Sequence, residues 1–314
     1  MDNEKLTLIP LGKTDILVSQ LGLGTWQWGD RMVWSYGKTH TESDVQAAFQ
    51  TSLEAGIQFF DTAEVYGNGR SEQFLGEFIK NVEQPVVIAT KFAPFPWRMW
   101  KGRLRAALRA SLNRLGLERV DLYQIHWPFP PLRIETWADA LADAVEAGLV
   151  RAVGVSNFNA TQMLKAHSTL LKRGVPLASN QVEYHLLNRQ VEQNGLLKLC
   201  RELGITMIAY SPLAKGMLTG KYTPEMPPAG MRARLYSRAR LSAIQPLVKQ
   251  LGEFGMAHGG KSAAQVALNW LVCKGVVPIP GAKNARQAQD NAAALGWQLS
   301  EAEILALDEA SGKL

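Results

Sequence analysis

A short apolar run followed by a helical stripe recurs about eight times along the chain, and this alternation restricts the fold more than any other feature. The runs fall at 21–24, 57–61, 85–91, 120–125, 150–155, 177–179, 205–209 and 276–279. They are apolar on both faces, as strands are in a parallel sheet covered by helices. Between them, apolar residues return at helical spacing, as Leu104, Leu108, Leu112 and Leu115 do before the stop at Gly116. The pattern predicts an α/β fold, a (β/α)8 TIM barrel, which takes about 250 residues. A single domain over 1–314 follows. Ahead of the barrel, two β-prone runs flank Gly12-Lys13-Thr14-Asp15 and read as an N-terminal β-hairpin. The stretch 213–240 breaks the rhythm with Gly216, Gly220, Pro224, Pro227, Pro228 and Gly230, then Arg232, Arg234, Arg238 and Arg240. A loop that long inside a barrel is read as a lid.

Charge and composition narrow the partners. Lys and Arg number 34 against 28 Asp and Glu, a net charge of +6, but the basic residues form no long block, so no nucleic-acid partner is expected. No run is long and apolar enough to predict a membrane span. Met1-Asp2-Asn3-Glu4-Lys5 lacks a signal peptide's apolar stretch. Cys200 and Cys273 lie in apolar helical contexts and read as buried reduced thiols, which points to the cytoplasm. The five histidines are scattered without ligand spacing, so no metal is expected.

The chemistry gathers at strand ends. Asp61, Lys91, His126, Asn157, Gln181 and Tyr210 each end a different predicted strand, and Tyr66 follows Asp61 on its loop. In a parallel barrel these ends converge on one mouth. A phenol has a pKa of about 10, too high for ready proton transfer near neutrality. An adjacent Lys⁺ is expected to lower it, with a carboxylate fixing the lysine. Asp61, Lys91 and Tyr66 therefore read as a tuned proton donor, and His126 as a group that orients a carbonyl oxygen. Protonating that oxygen calls for a nucleophile at carbon, and hydride from a nicotinamide fits. No Gly-x-Gly-x-x-Gly follows a strand, which argues against a Rossmann site. Trp26, Trp28, Trp97, Trp100 and Trp127 fall on loops at the same mouth and predict an aromatic-walled pocket for apolar aldehydes.

These residues resemble the motifs of the aldo-keto reductases. Asp61-Thr62-Ala63-x-x-Tyr66-Gly67, Ala89-Thr90-Lys91 and Asp121-Leu122-Tyr123-x-x-His126-Trp127 look like the family's catalytic segments. Gly154-Val155-Ser156-Asn157-Phe158, Asn180-Gln181-Val182, Ala209-Tyr210-Ser211-Pro212-Leu213 and Pro278-Ile279-Pro280-Gly281-Ala282-Lys283 look like its cofactor segments. The resemblance runs through nearly the whole chain. It implies NADPH/NADP⁺ across the mouth, a catalytic tetrad of Asp61, Tyr66, Lys91 and His126, and a small-molecule carbonyl substrate. Ser156, Asn157 and Gln181 would hold the carboxamide, and Tyr210 would stack on the nicotinamide. Ser211, Leu213 and Gly216 would follow the pyrophosphate. Gly281, Lys283, Gln287 and Asn291 would take the adenosine phosphate, and Thr25 and Trp26 would border the cofactor. Trp28, Trp97 and Trp127 would line the substrate pocket. Gln287 and Asp290 stand where many members have Arg and Glu, which leaves Lys283 and Arg286 for the 2′-phosphate. The long C-terminal loop of some members is expected to be absent. A monomeric general reductase is the reading; a nucleotide-binding redox sensor resembling channel β subunits and a pyridoxal-specific reductase are the alternatives.

Overall fold

A computed structural model describes residues 7–98, 100–129, 132–228 and 237–314. Strands β1 (Leu8–Pro10) and β2 (Leu17–Ser19) pair antiparallel as the predicted hairpin. Eight further strands lie parallel in chain order: β3 (Leu23–Gly24), β4 (Phe59–Asp61), β5 (Val87–Phe92), β6 (Val120–Ile125), β7 (Val150–Ser156), β8 (Leu177–Glu183), β9 (Thr206–Tyr210) and β10 (Val277–Pro278). The sheet curls until its edges meet. Gly22 and Gly24 donate to the carbonyls of Pro278 and Pro280, each at 3.0 Å, and Gly24 bridges Gly281 in parallel.

Helices alternate with the strands: α1 (Glu42–Glu54), α2 (Arg70–Ile79), α3 (Gly102–Leu115), α4 (Ile134–Glu146), α5 (Ala160–Leu171), α6 (Gln190–Gln193), α7 (Leu196–Leu203), α8 (Arg238–Ala257), α9 (Ala263–Cys273), α10 (Ala285–Ala292) and α11 (Glu301–Gly312). Capping boxes at Thr41/Asp44 and Ser300/Glu303 start α1 and α11. A side chain aimed back at the first amides satisfies donors that the helix cannot pair itself.

Apolar packing on both sides of the sheet holds the barrel. Outside the sheet, aromatic side chains pack between strands and helices, as Phe49 does on Phe60 at 4.8 Å and Phe92 on Trp137 at 4.9 Å. Inside, Phe59, Val87, Leu122, Ala178 and Ile208 meet Leu11, Ile16 and Val18 of the hairpin, which plugs the floor. Gly12 makes that plug possible. It sits at φ +59°, and a Cβ there would lie 2.5 Å from the Ala178 carbonyl oxygen. With the floor closed, the mouth at the strands' carboxyl ends is left to carry the chemistry.

Parts of the 213–240 stretch form regular structure. Ala214–Thr219 forms a 3-10 turn, and Arg238 and Arg240 belong to the first turn of α8, where the Ser237 side chain caps the Arg240 amide at 3.2 Å. Gly230, Arg232 and Arg234 lie outside the described residues. Cys200 is buried and Cys273 half-buried, both as free thiols. Among the described residues no helix is long and apolar enough to cross a membrane, and no cluster of His, Cys, Asp and Glu suits a metal.

Candidate active site

Three strand ends place the tetrad. Asp61 closes β4, Lys91 is the penultimate residue of β5, His126 follows β6, and Tyr66 lies one turn past β4. Asp61 is 1% exposed and Lys91 0%, so their charges must answer each other. The Lys91 ammonium donates to Asp61 Oδ1, to the Thr62 carbonyl at 2.9 Å, and toward the Tyr66 hydroxyl at 3.5 Å. The other carboxylate oxygen of Asp61 accepts from Gln124 Nε2 at 3.2 Å and Gln181 Nε2 at 2.8 Å. These donors fix the carboxylate in place.

The electrostatics correct one expectation. Burial, reinforced by the Asp61 carboxylate, raises the Tyr66 phenol well above its ordinary pKa. The Lys91 ammonium does not outweigh these effects, because Asp61 compensates most of its charge. Burial also pulls the Lys91 ammonium below its ordinary pKa, against the opposing pull of Asp61. His126 is driven well below its ordinary value by burial and then by the Lys91 charge, so the imidazole is neutral at physiological pH. Its ring stands edge-on to Tyr66 at 5.8 Å, and its Nδ1 is buried with no partner among the described residues.

A buried polar hub behind the tetrad was not anticipated. The first turn of α2 supplies Ser71 and Glu72, both 0% exposed. Ser71 Oγ contacts Thr25 Oγ1 at 2.7 Å, accepts from Thr62 Oγ1 at 2.9 Å and donates to the Thr25 carbonyl at 3.0 Å. Glu72 accepts from Thr90 Oγ1 at 2.5 Å and Arg114 Nε at 2.6 Å. The turn thus clamps the ends of β3, β4 and β5, which carry Asp61 and Lys91. A second tie joins Glu64 to the Ala93 amide at 2.6 Å and to Arg98, whose Nη2 is 3.1 Å away.

The residues expected at the cofactor divide into two groups. At the ends of β7 and β9, Asn157 donates to the His126 carbonyl at 3.0 Å and accepts from the Tyr210 hydroxyl at 2.9 Å, and Ser156 Oγ donates to the Gln181 carbonyl at 2.8 Å. Asn157, Ser211, Ala214 and Lys215 all have φ between 49° and 62°, and Gly216 has 98°. Leu213 precedes this 3-10 turn. Strain of this kind gathers where a backbone is shaped for a ligand. Across the mouth, Lys283 lies just before α10; its amide donates to Gln287 Oε1 at 2.9 Å, and Asn291 Nδ2 donates to the Gly281 carbonyl at 3.4 Å.

Three expected contacts take different forms. Thr25 is fully buried, its hydroxyl donating to the Asp61 carbonyl at 3.0 Å, so its side chain braces the tetrad. The Gln181 amide turns onto Asp61. Trp28 is not a pocket wall: it is 0% exposed, packs on Phe78 at 5.8 Å, and donates its indole N–H to the Ala282 carbonyl at 2.9 Å. The other expected tryptophans differ in their surroundings. Trp26 stacks on Tyr66 at 6.2 Å, Trp127 lies parallel to His126 at 3.6 Å, and Trp97 is 69% exposed against Phe95 at 4.7 Å.

The sequence profile of the aldo/keto reductase family matches residues 20–311. The chain belongs to this family. Among relatives of this aldo-keto reductase, the chloroplastic pyridoxal reductase of Arabidopsis thaliana is 46% identical over 307 residues, covering 94% of this chain and 83% of that one. The glycerol dehydrogenase structure from Gluconobacter oxydans superposes with a TM-score of 0.84 at 26% identity, covering 100% of this chain and 96% of that one. An aldo-keto reductase from Klebsiella pneumoniae, solved with NADPH, gives 0.77 at 28%, covering 97% and 94%.

Proposed function

We propose that this chain reduces aldehydes and ketones to alcohols with NADPH, and that Tyr66 donates the proton. The observation that carries the reading is the Lys91 ammonium held between Asp61 and the Tyr66 hydroxyl beside a neutral imidazole. The residues present fit a nicotinamide nucleotide. Asn157, Ser211, Ala214, Lys215 and Gly216 adopt positive φ where the cofactor would lie, and Lys283 offers a cation just before α10. Ser156, Asn157 and Tyr210 would hold the nicotinamide end, Ser211, Leu213 and Gly216 the pyrophosphate, and Lys283 with Arg286 the 2′-phosphate. When bound, the cofactor supplies hydride to the carbonyl carbon.

The chain's own groups do the rest. His126, neutral and fixed beside Tyr66, donates a hydrogen bond that orients the carbonyl oxygen. Tyr66 keeps its proton until that oxygen gains negative charge, then transfers it. Lys91 stabilises the resulting phenolate, and Asp61 keeps Lys91 charged and aimed. Trp127 beside His126 gives the substrate an apolar aromatic wall. All four tetrad residues come from one chain, which supports action as a monomer. The two free cysteines suit a reducing compartment such as the cytoplasm.

Pyridoxal is the favoured specific substrate. A planar aromatic aldehyde matches a wall of stacked rings, and the Arabidopsis relative is named for reducing it. Consumption of NADPH against a panel of aryl aldehydes, pyridoxal, ketones and sugars tests the reading. Turnover of aldehydes by the wild type is expected; a chain that binds NADPH and reduces nothing in the panel would favour the sensor reading.

A further inference from the structure

The loop between β3 and α1 is fastened to the turn before α10 at successive points. Gly24 donates to the Pro280 carbonyl at 3.0 Å, and the Trp28 indole to the Ala282 carbonyl at 2.9 Å. The Gln27 amide occupies the space over Gly281, where an added Cβ would fall 2.0 Å from Gln27 Nε2. The Lys283 ammonium donates to the Trp34 carbonyl at 3.1 Å and Thr39 Oγ1 at 3.4 Å, and lies 5.3 Å from the centre of the Trp34 ring. The loop braces itself as well: Asp30 Oδ1 accepts from the amides of Val33 at 2.7 Å and Trp34 at 3.1 Å. On its other side the Trp34 ring meets Trp26 edge-on at 5.6 Å, and Trp26 stacks on Tyr66.

We infer that this loop is the cofactor-selectivity element of the enzyme, with Trp34 as the positioning residue that presets the Lys283 ammonium for the 2′-phosphate of NADPH. The inference rests on the assignment of Lys283 to that phosphate. A lysine side chain samples many rotamers in water and gives them up when it binds an anion. Fixing the ammonium beforehand removes that loss from the binding step, which is preorganisation. A tryptophan face is the best aromatic surface for a cation. The other candidate cation, Arg286, has no such support among the described residues: its side chain is 90% exposed and its ion-pair partner, Asp290, is 3.9 Å away. Selectivity for the phosphate therefore falls to Lys283 and the loop that holds it. Trp28, buried between the two segments, is the strut that keeps them in register.

Calorimetric Kd values for NADPH and NADH separate the possibilities, because NADH lacks the phosphate and reports on the integrity of the rest of the site. Trp34→Ala should weaken NADPH roughly five- to tenfold and leave NADH within about twofold. Trp34→Phe, which restores a ring, should recover most of the loss. Lys283→Ala combined with Trp34→Ala should bind NADPH no more weakly than Lys283→Ala alone, because both changes remove one interaction. Equal weakening of both cofactors by Trp34→Ala, or additive losses in the double variant, would overturn the inference while leaving the Lys283 assignment standing. If Lys283→Ala itself fails to separate NADPH from NADH, that assignment falls and the role of Trp34 falls with it.

Discussion

The Lys91 ammonium lies 3.5 Å from the Tyr66 hydroxyl while held by Asp61 and by the Thr62 carbonyl. One cation therefore faces a fixed carboxylate on one side and the proposed proton donor on the other. Lys91→Met removes the charge that would stabilise a phenolate but leaves Gln124 and Gln181 donating to Asp61. We expect kcat for aldehyde reduction to fall by about 10²–10⁴, with NADPH affinity changed by less than about threefold. Stopped-flow turnover together with cofactor titration checks both halves.

The pH profile follows from the phenol. Burial and Asp61 raise the Tyr66 pKa above its ordinary value of about 10. A raised pKa keeps the proton on, and reduction needs the protonated form. The rate should therefore hold as pH rises from neutrality to about 10 and fall only beyond it. A kcat/KM profile with an alkaline midpoint below about 9 would mean that Lys91 dominates after all.

The buried Glu72–Arg114 pair yields a stability prediction. Arg114→Ala leaves Glu72, which is 0% exposed, with Thr90 as its remaining hydrogen-bond donor. Breaking such a pair typically costs about 3–5 kcal/mol, and the lower end applies because the Arg114 side chain is 24% exposed. Urea unfolding of the two proteins measures the difference. A change below about 1 kcal/mol would show that the hub does not clamp the strand ends.

The aromatic wall predicts a split between substrates. Trp127→Ala should raise KM for aryl aldehydes by roughly tenfold, while small aliphatic aldehydes, which cannot stack on the ring, keep theirs. Equal effects on the two classes would indicate that Trp127 only supports His126, against which it lies.

The barrel and the gathering of Asp61, Tyr66, Lys91 and His126 were legible because each rests on local sequence. A strand's apolar run, and the polar residue that ends it, are neighbours in the chain. The hub was not legible in the same way, since it joins Thr25, Thr62, Ser71, Glu72, Thr90 and Arg114 across three strands and two helices. One sign was present: Glu72 stands three residues before Leu75 and seven before Ile79, a charge on an apolar helical stripe. Trp28 was misplaced because a loop tryptophan can point to the mouth or into the core, and only tertiary packing against Phe78 and Ala282 decides. The direction of the Tyr66 shift depended on Asp61 already answering Lys91, which spacing in the chain does not reveal.

The proton-donor role of Tyr66 is the claim on which the rest depends, and Tyr66→Phe tests it most directly. The change removes one oxygen and keeps the ring that stacks on Trp26. Single-turnover reduction of an aryl aldehyde, with NADPH Kd measured on the same preparation, should show the rate lost by at least about 10² and the affinity nearly intact. A variant that binds NADPH normally and retains most of the wild-type rate would contradict the account.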